Sequence, residues 1–321
     1  MKHWLSALFF LLGGLLLPLH SYAKELSAET LLTDMGNAVK SLPYELSFII
    51  VNPQGITPIR YRHVIIDNKP IAQMMQMDNS RREIIQKGNQ ISYFEPGFDS
   101  FSLEGAYIVD YLPSVVFANF TKLQSYYNFI KLGRTHIGDI SCQVIRVIPK
   151  DNSRFSYILL IDEKSKLPLC IDLLDSKNEI LEQFRVVSVA FNSQALLKSM
   201  HVIASLNMPP LLLIPKSITK RFNWQINQLP LGFEEISRSC KEIAANESLE
   251  AMLFSDGLFS FSINVTKAGE RQLSEKPFRK GGLTIYTVIK GQYEVTVIGQ
   301  LPLLTASQIA ANVSFKEASN G

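Results

Sequence analysis

The sequence predicts a mixed, mainly β protein: one large antiparallel sheet or barrel carrying little helix, then a smaller α+β domain. Three observations predict it. Apolar side chains recur with a period of two through about ten short segments between Tyr44 and Ala190. Polar turn sequences such as Asn52-Pro53-Gln54-Gly55, Lys150-Asp151-Asn152-Ser153 and Asp175-Ser176-Lys177-Asn178 separate those segments. A proline-rich stretch, Met208 to Pro215, then divides the chain before a second run of strands that ends in a helix. The length of 321 residues suits two domains of about 100–200 residues each.

The chain opens with an export signal. Lys2 supplies a positive start, Leu5 to Leu17 an apolar run, and Ser21-Tyr22-Ala23 the small residues a signal peptidase reads. The run is shorter than the ~20 residues a spanning helix needs, and Pro18 and His20 close it. Residues 1–23 are therefore expected to be cleaved. No cysteine follows the run to carry a lipid anchor. The product is expected to be soluble beyond the membrane.

After the leader, Ser27 can cap a helix whose apolar face is Ala28, Leu31, Leu32, Met35, Ala38, Val39 and Leu42, and Pro43 stops it. From Tyr44 the period becomes two. Strands are expected at Tyr44–Ile50, Ile59–Ile65, Ile71–Met77, Arg82–Lys87 and Ile91–Phe94. A looser region, 96–123, follows. A second meander then runs through Tyr126–Arg134, Cys142–Ile148, Phe155–Asp162, Leu169–Leu174 and Leu181–Ala190. Beyond the linker, strands are expected at Arg221–Asn223, Phe259–Val265, Thr284–Ile289 and Tyr293–Ile298, the last two joined by Lys290-Gly291-Gln292. A final helix should begin near Leu303, with Thr305 as its cap and Ile309, Ala310 and Val313 on its buried face.

Composition and motifs exclude several function classes. Hydrophobic residues make up 46% and charged residues 19%, which suits a globular chain and not a disordered one. A net charge of +3 lacks the dense basic stripe that nucleic-acid binding needs. Once the leader has gone, the histidines are His63, His136 and His201, none in metal-ligand spacing. There is no G-x-S-x-G elbow, phosphate-cradling loop or C-x-x-C. No catalytic residue, metal or cofactor is expected; an enzyme using His136 and Asp139 would still need a nucleophile. Asp67, Asp78, Asp110, Asp162, Asp172 and Asp175 fall at strand ends and turns, where Asp bonds locally. Cys142 and Cys170 sit on strands separated by another, ~9–10 Å apart and beyond disulfide reach.

Two features invite a binding role. The region 96–123 is rich in aromatic and aliphatic residues without strand alternation; packing accounts for them as core, and the functional alternative is a lid over an apolar cavity. Arg60 and Arg62, with Arg81 and Arg82, lie on strands expected to be neighbours. A solvated sheet face accounts for them; the alternative is a site for anionic groups such as lipid phosphates.

Several stretches resemble the RseB/MucB family, periplasmic regulators of the sigma-E envelope stress response. They are YELSFI at 44–49, RYRH at 60–63, RRE at 81–83, ISYFEPG at 91–97, VIRV at 144–147, KLP at 166–168, DLLD at 172–175 and LEQFRV at 181–186. In the second half they are Leu229-Pro230 with Gly232-Phe233, SDGLFSFS at 255–262, and Val297 to Gly299 with Leu301-Pro302. The resemblance runs the length of the mature chain in order, with 266–283 poorly matched.

The resemblance implies an unclosed LolA-like β-barrel with covering helices at 24–207, a linker at 208–217 and an α+β anti-sigma-binding domain at 218–321. It implies a periplasmic protein that binds the periplasmic segment of the anti-sigma factor RseA and shields it from the site-one protease DegS. Lipopolysaccharide or a mislocalised lipoprotein would release that grip. Candidate lipid contacts are then Phe94, Tyr111, Leu112, Val115, Val116 and Phe117, with Arg60, Arg62, Arg81 and Arg82. Candidate partner contacts are Leu211, Leu212, Leu213, Trp224, Phe259 and Phe261, as the apolar anchors an interface needs. A periplasmic lipid or lipoprotein carrier is the alternative, and either reading allows a homo-oligomer. Four N-x-S/T sequons, at Asn119, Asn246, Asn264 and Asn312, would suit a eukaryotic secreted protein; the resemblance points instead to bacteria.

Overall fold

The computed structural model describes residues 26–78, 81–213, 217–218, 221–244, 247–269 and 277–316. The leader at 1–23, part of the linker and Asn246 lie outside the described residues.

The first helix, α1 (Ala28–Ser41), forms where its apolar spacing places it. Ser27 Oγ accepts from the Thr30 amide at 3.1 Å, and Leu31, Leu32, Met35 and Val39 are buried. Pro43 then turns the chain into β1 (Tyr44–Asn52). The first meander continues with β2 (Gly55–Ile66), β3 (Lys69–Gln76), β4 (Glu83–Lys87), β5 (Gln90–Phe94) and a short β6 (Phe101–Glu104). Asp67 and Asn68 both take positive φ in the two-residue turn between β2 and β3, the backbone such hairpins require. The looser region resolves into β6, a 3-10 turn (Ser114–Phe117) and the one-turn α2 (Phe120–Leu123). The second meander is β7 (Tyr127–Ile137), β8 (Ile140–Pro149), β9 (Ser156–Asp162), β10 (Pro168–Leu174) and β11 (Ile180–Phe191).

These strands form one eleven-stranded sheet in the order β6-β5-β4-β3-β2-β1-β11-β10-β9-β8-β7, the two meanders joined by antiparallel pairing of β1 with β11. Its end strands β6 and β7 do not pair with each other, so the barrel is unclosed, as expected. Alternation sorts the side chains. Leu46, Phe48, Ile50, Ile59, Tyr61, Met74, Ile145, Leu159, Ile171 and Phe184 share the inner face with α1 and the 108–123 segment. A further helix, α3 (Gln194–Ser205), was not anticipated, although Ser193 caps it and Leu196, Met200 and Ile203 carry its buried face. It covers Val64, Ile71 and Ile85 on the outer face.

The second domain has a six-stranded sheet and a two-stranded ribbon. In chain order its elements are β12 (Trp224–Ile226), β13 (Glu234–Ala244), β14 (Glu247–Ser255), β15 (Ser260–Lys267), β16 (Phe278–Lys280), β17 (Leu283–Lys290), β18 (Tyr293–Gly299), α4 (Leu303–Ala311) and β19 (Val313–Phe315). The sheet order is β13-β14-β15-β18-β17-β16, and β12 pairs with β19. Two expectations need correction. The strand expected at 221–223 falls at 224–226. Thr305 is not the cap of α4: Pro302 occupies that position, and Thr305 lies buried inside the helix. The long β13–β14 hairpin was missed because its β13 half is mostly exposed and charged, without apolar alternation.

One apolar cluster runs through both domains without a break. The domains are therefore packed as one body.

Candidate functional site

The junction of the domains is built around Arg154, in the turn between β8 and β9. Its side chain is fully buried. Nε meets Asp256 Oδ2 at 2.6 Å, Nη1 meets Asp151 Oδ1 at 2.9 Å, and Nη2 donates to the Leu231 carbonyl. The guanidinium lies between two rings, 5.3 Å from the Tyr127 centroid and 4.7 Å from that of Phe233. One ring belongs to each domain.

Asp256 is equally buried, in the tight turn between β14 and β15. Its Oδ1 accepts the Leu258 and Phe259 amides at 2.8 Å each, and its Oδ2 accepts the Tyr127 hydroxyl at 2.5 Å. Every oxygen is satisfied, which a buried carboxylate requires. Burial, and then the neighbouring Asp256 carboxylate, hold the Tyr127 phenol well above its ordinary pKa. Asp151 moves the other way: burial opposes its charge, but bonds from Ser153 and the nearby Arg154 outweigh it.

Aromatic packing continues the junction. Phe259 stacks on Tyr157 at 5.5 Å and meets Phe155 edge-on at 6.4 Å. Gly232, at φ +87°, lies over the ring of Tyr126 so closely that an added Cβ would fall 2.7 Å from it.

The 3-10 turn plugs the inner face of the sheet. Val115, Val116 and Leu112 are buried in the common core, and Tyr111 and Phe117 are half-buried against it. Tyr111 donates to Gln76 Oε1 at 3.0 Å and lies beside Arg82, whose guanidinium pairs with Asp110 at 3.0 Å and faces the rings of Tyr93 and Tyr111. Ser114 Oγ donates to the Leu258 carbonyl of the second domain at 2.9 Å.

The residues expected to line one lipid site divide between two faces of the sheet. Tyr111, Leu112, Val115, Val116, Phe117 and Arg82 gather on the inner face. Arg60 and Arg62 alternate with the inward Ile59 and Tyr61, and so point outward. Phe94 packs against the α3 cluster, also outside. Arg62 is engaged by Glu45 at 2.7 Å and Gln73 at 3.2 Å, and Arg60 by Met75 Sδ at 3.3 Å. Arg81 is exposed at a turn with φ +51°. The pairs Arg60/Arg62 and Arg81/Arg82 are not on neighbouring strands, because β3 lies between β2 and β4.

The expected partner anchors divide as well. Trp224, Phe259 and Phe261 are 3%, 2% and 1% exposed, so they are interior packing and not surface anchors. Phe261 was expected outside because strand alternation alone does not say which face is covered. Leu211, Leu212 and Leu213 are 54%, 56% and 91% exposed. Their backbone is held while their side chains are not: Ser102 N donates to Pro210 O at 3.0 Å, and Leu212 N to Ser102 O at 2.7 Å. The linker thus lies along the edge strand β6 in parallel register.

Among the described residues no cluster of His, Cys, Asp and Glu could hold a metal ion. His63 is buried, its Nδ1 2.8 Å from the Leu42 carbonyl, while His136 and His201 are exposed. Cys142, Cys170 and Cys240 are free thiols. The residues that organise the junction (Arg154, Asp256, Tyr127 and Ser114) were not singled out from sequence. The one signal was that Asp256 lies inside the 255–262 stretch that carried the resemblance.

Fold and site together define a class: a two-domain, mainly β protein whose open sheet is plugged on its inner face and docked to a smaller α+β domain through a buried ionic centre. The particular family follows from direct comparison. Residues 27–211 match the MucB/RseB N-terminal domain, and residues 219–314 match the MucB/RseB C-terminal domain. The chain belongs to the MucB/RseB family. It is 46% identical to the sigma-E factor regulatory protein RseB of Escherichia coli (strain K12), over 99% of this chain and all of that one. It is 40% identical to the RseB of Haemophilus influenzae, over 94% of this chain and 96% of that one. In fold it resembles MucB in the MucA/MucB complex of Pseudomonas aeruginosa, with a TM-score of 0.72 at 18% identity, over 91% of this chain and 99% of that one.

Proposed function

We propose that this protein is a periplasmic regulator that binds the periplasmic segment of a membrane-spanning anti-sigma factor and so restrains a sigma-E-type stress response. The observation that carries the reading is the full-length match to proteins named as sigma-E factor regulators. A solved complex of a family member with MucA supports a protein partner. The protein acts by binding, not by chemistry. Occupying the segment shields it from site-one proteolysis.

The exposed apolar run Leu211–Leu213 supplies the surface anchor, since its backbone is already fixed on β6 and its side chains remain free to pack. Lipopolysaccharide or the acyl chains of a mislocalised lipoprotein release the partner by preferring the unoccupied form. The test is a pull-down of the full mature chain with the anti-sigma periplasmic segment, with and without lipopolysaccharide. Retention without lipopolysaccharide and loss with it is expected. No retention in either case would overturn the reading, and unchanged affinity after deletion of residues 209–321 would remove the second domain and linker from the interface.

A further inference from the structure

We propose that Arg154, Asp256 and Tyr127 form a latch between the domains, and that the plug at Pro113–Phe117 is its trigger. The lipid arm of this inference rests on the function proposed above; the latch itself does not.

The latch is a closed set of contacts. Asp256 Oδ2 accepts the Tyr127 hydroxyl and makes an ion-pair contact with Arg154 Nε, both from the first domain, while its Oδ1 holds the Leu258 and Phe259 amides of its own turn. One carboxylate therefore shapes the 256–259 turn and fastens it to the sheet. Neither charge is reached by water. Buried ionic contacts of this kind have two discrete arrangements, made or broken, because a half-separated pair is solvated by neither protein nor water.

The trigger is wired to the same turn. Ser114 Oγ donates to the carbonyl of Leu258, the residue whose own amide bonds Asp256, and Phe259 lies flat on Tyr157 beside it. Val115 and Val116, next to Ser114, fill the inner face of the sheet. An apolar chain entering that face must displace those two valines. Moving them drags Ser114 and, through its bond to the Leu258 carbonyl, pulls the 256–259 turn off Arg154 and Tyr127. The consequence is an opened junction and a second domain no longer held in one orientation against the linker that abuts it.

Hydrogen exchange of the full mature chain reads this, because the Leu258 and Phe259 amides bond the same carboxylate that fastens the two domains. Four outcomes are expected. Asp256→Asn and the milder Tyr127→Phe speed exchange at these two amides at least tenfold, while amides of β1 and β11 stay protected. Ser114→Ala leaves the latch closed. Lipopolysaccharide micelles speed the same two amides in the wild type and enlarge the radius of gyration in scattering. The Ser114→Ala variant binds the micelles equally but responds several-fold less. Unchanged exchange in Tyr127→Phe and Asp256→Asn overturns the latch. Micelles that co-sediment with the protein but leave both amides protected overturn the trigger. Absence of co-sedimentation refutes the lipid part of the proposed function and with it the trigger, and leaves the latch to be decided by the two variants.

Discussion

Arg154 and Asp256 meet at 2.6 Å across the domain boundary, both without solvent exposure. Breaking such a pair from one side leaves an uncompensated buried charge. Asp256→Leu or Arg154→Met is expected to cost about 3–5 kcal/mol, whereas the double variant should recover much of the loss because apolar groups can replace the pair. A urea-denaturation cycle over the four proteins measures the coupling; additive losses would show that the two charges act independently.

Surface and interior apolar residues separate in the same way. Leu213→Asp, at 91% exposure, should leave the melting temperature unchanged and weaken binding of the anti-sigma segment at least tenfold, a cost of ~1.4 kcal/mol or more. Phe259→Asp places a charge in the junction core and should destabilise the fold instead. Calorimetry of both variants checks the contrast, and full affinity in Leu213→Asp would exclude the linker from the interface.

Gly232 is a further joint. Its φ of +87° and its seat on the Tyr126 ring leave no room for Cβ, so Gly232→Ala should cost about 1–3 kcal/mol. The neighbouring Leu231 carbonyl, which accepts from Arg154, would shift with it. Loss of protection at the Leu258 amide in exchange experiments would register that shift.

His63 gives stability a pH dependence. Burial, opposed by its bond to the Leu42 carbonyl, lowers its pKa below 6.5. Between the lowered folded value and 6.5 the unfolded chain binds the extra proton, so stability is whole above about pH 6.5 and declines as pH falls toward the folded value. Relative to His63→Gln, the wild type should lose urea resistance over that window and none above it. Parallel curves for the two proteins would assign the slope to other groups.

Legibility in the sequence followed periodicity. Elements with one wet and one dry face, such as α1 and the strands from Tyr44 to Phe191 other than the short β6, lie within a few residues of their expected places. β13 was lost because Glu234, Glu235, Lys241 and Glu242 leave it without an apolar stripe, and α3 was lost to the strand pattern before it. The plug at 113–117 was legible as apolar and aperiodic, but not as core or lid.

The sequence by itself determined the sheet-forming pattern, the division at the prolines and the family, because these depend on local spacing and on order along the chain. The tertiary structure alone decided which face each side chain met. It separated Arg60 and Arg62 from Arg82, buried Phe259 and Phe261, left Leu213 in water, and brought Arg154 to Asp256 from about a hundred residues away in sequence. Alternation fixes that a strand has two faces; only the packing of one sheet against another element fixes which face is covered.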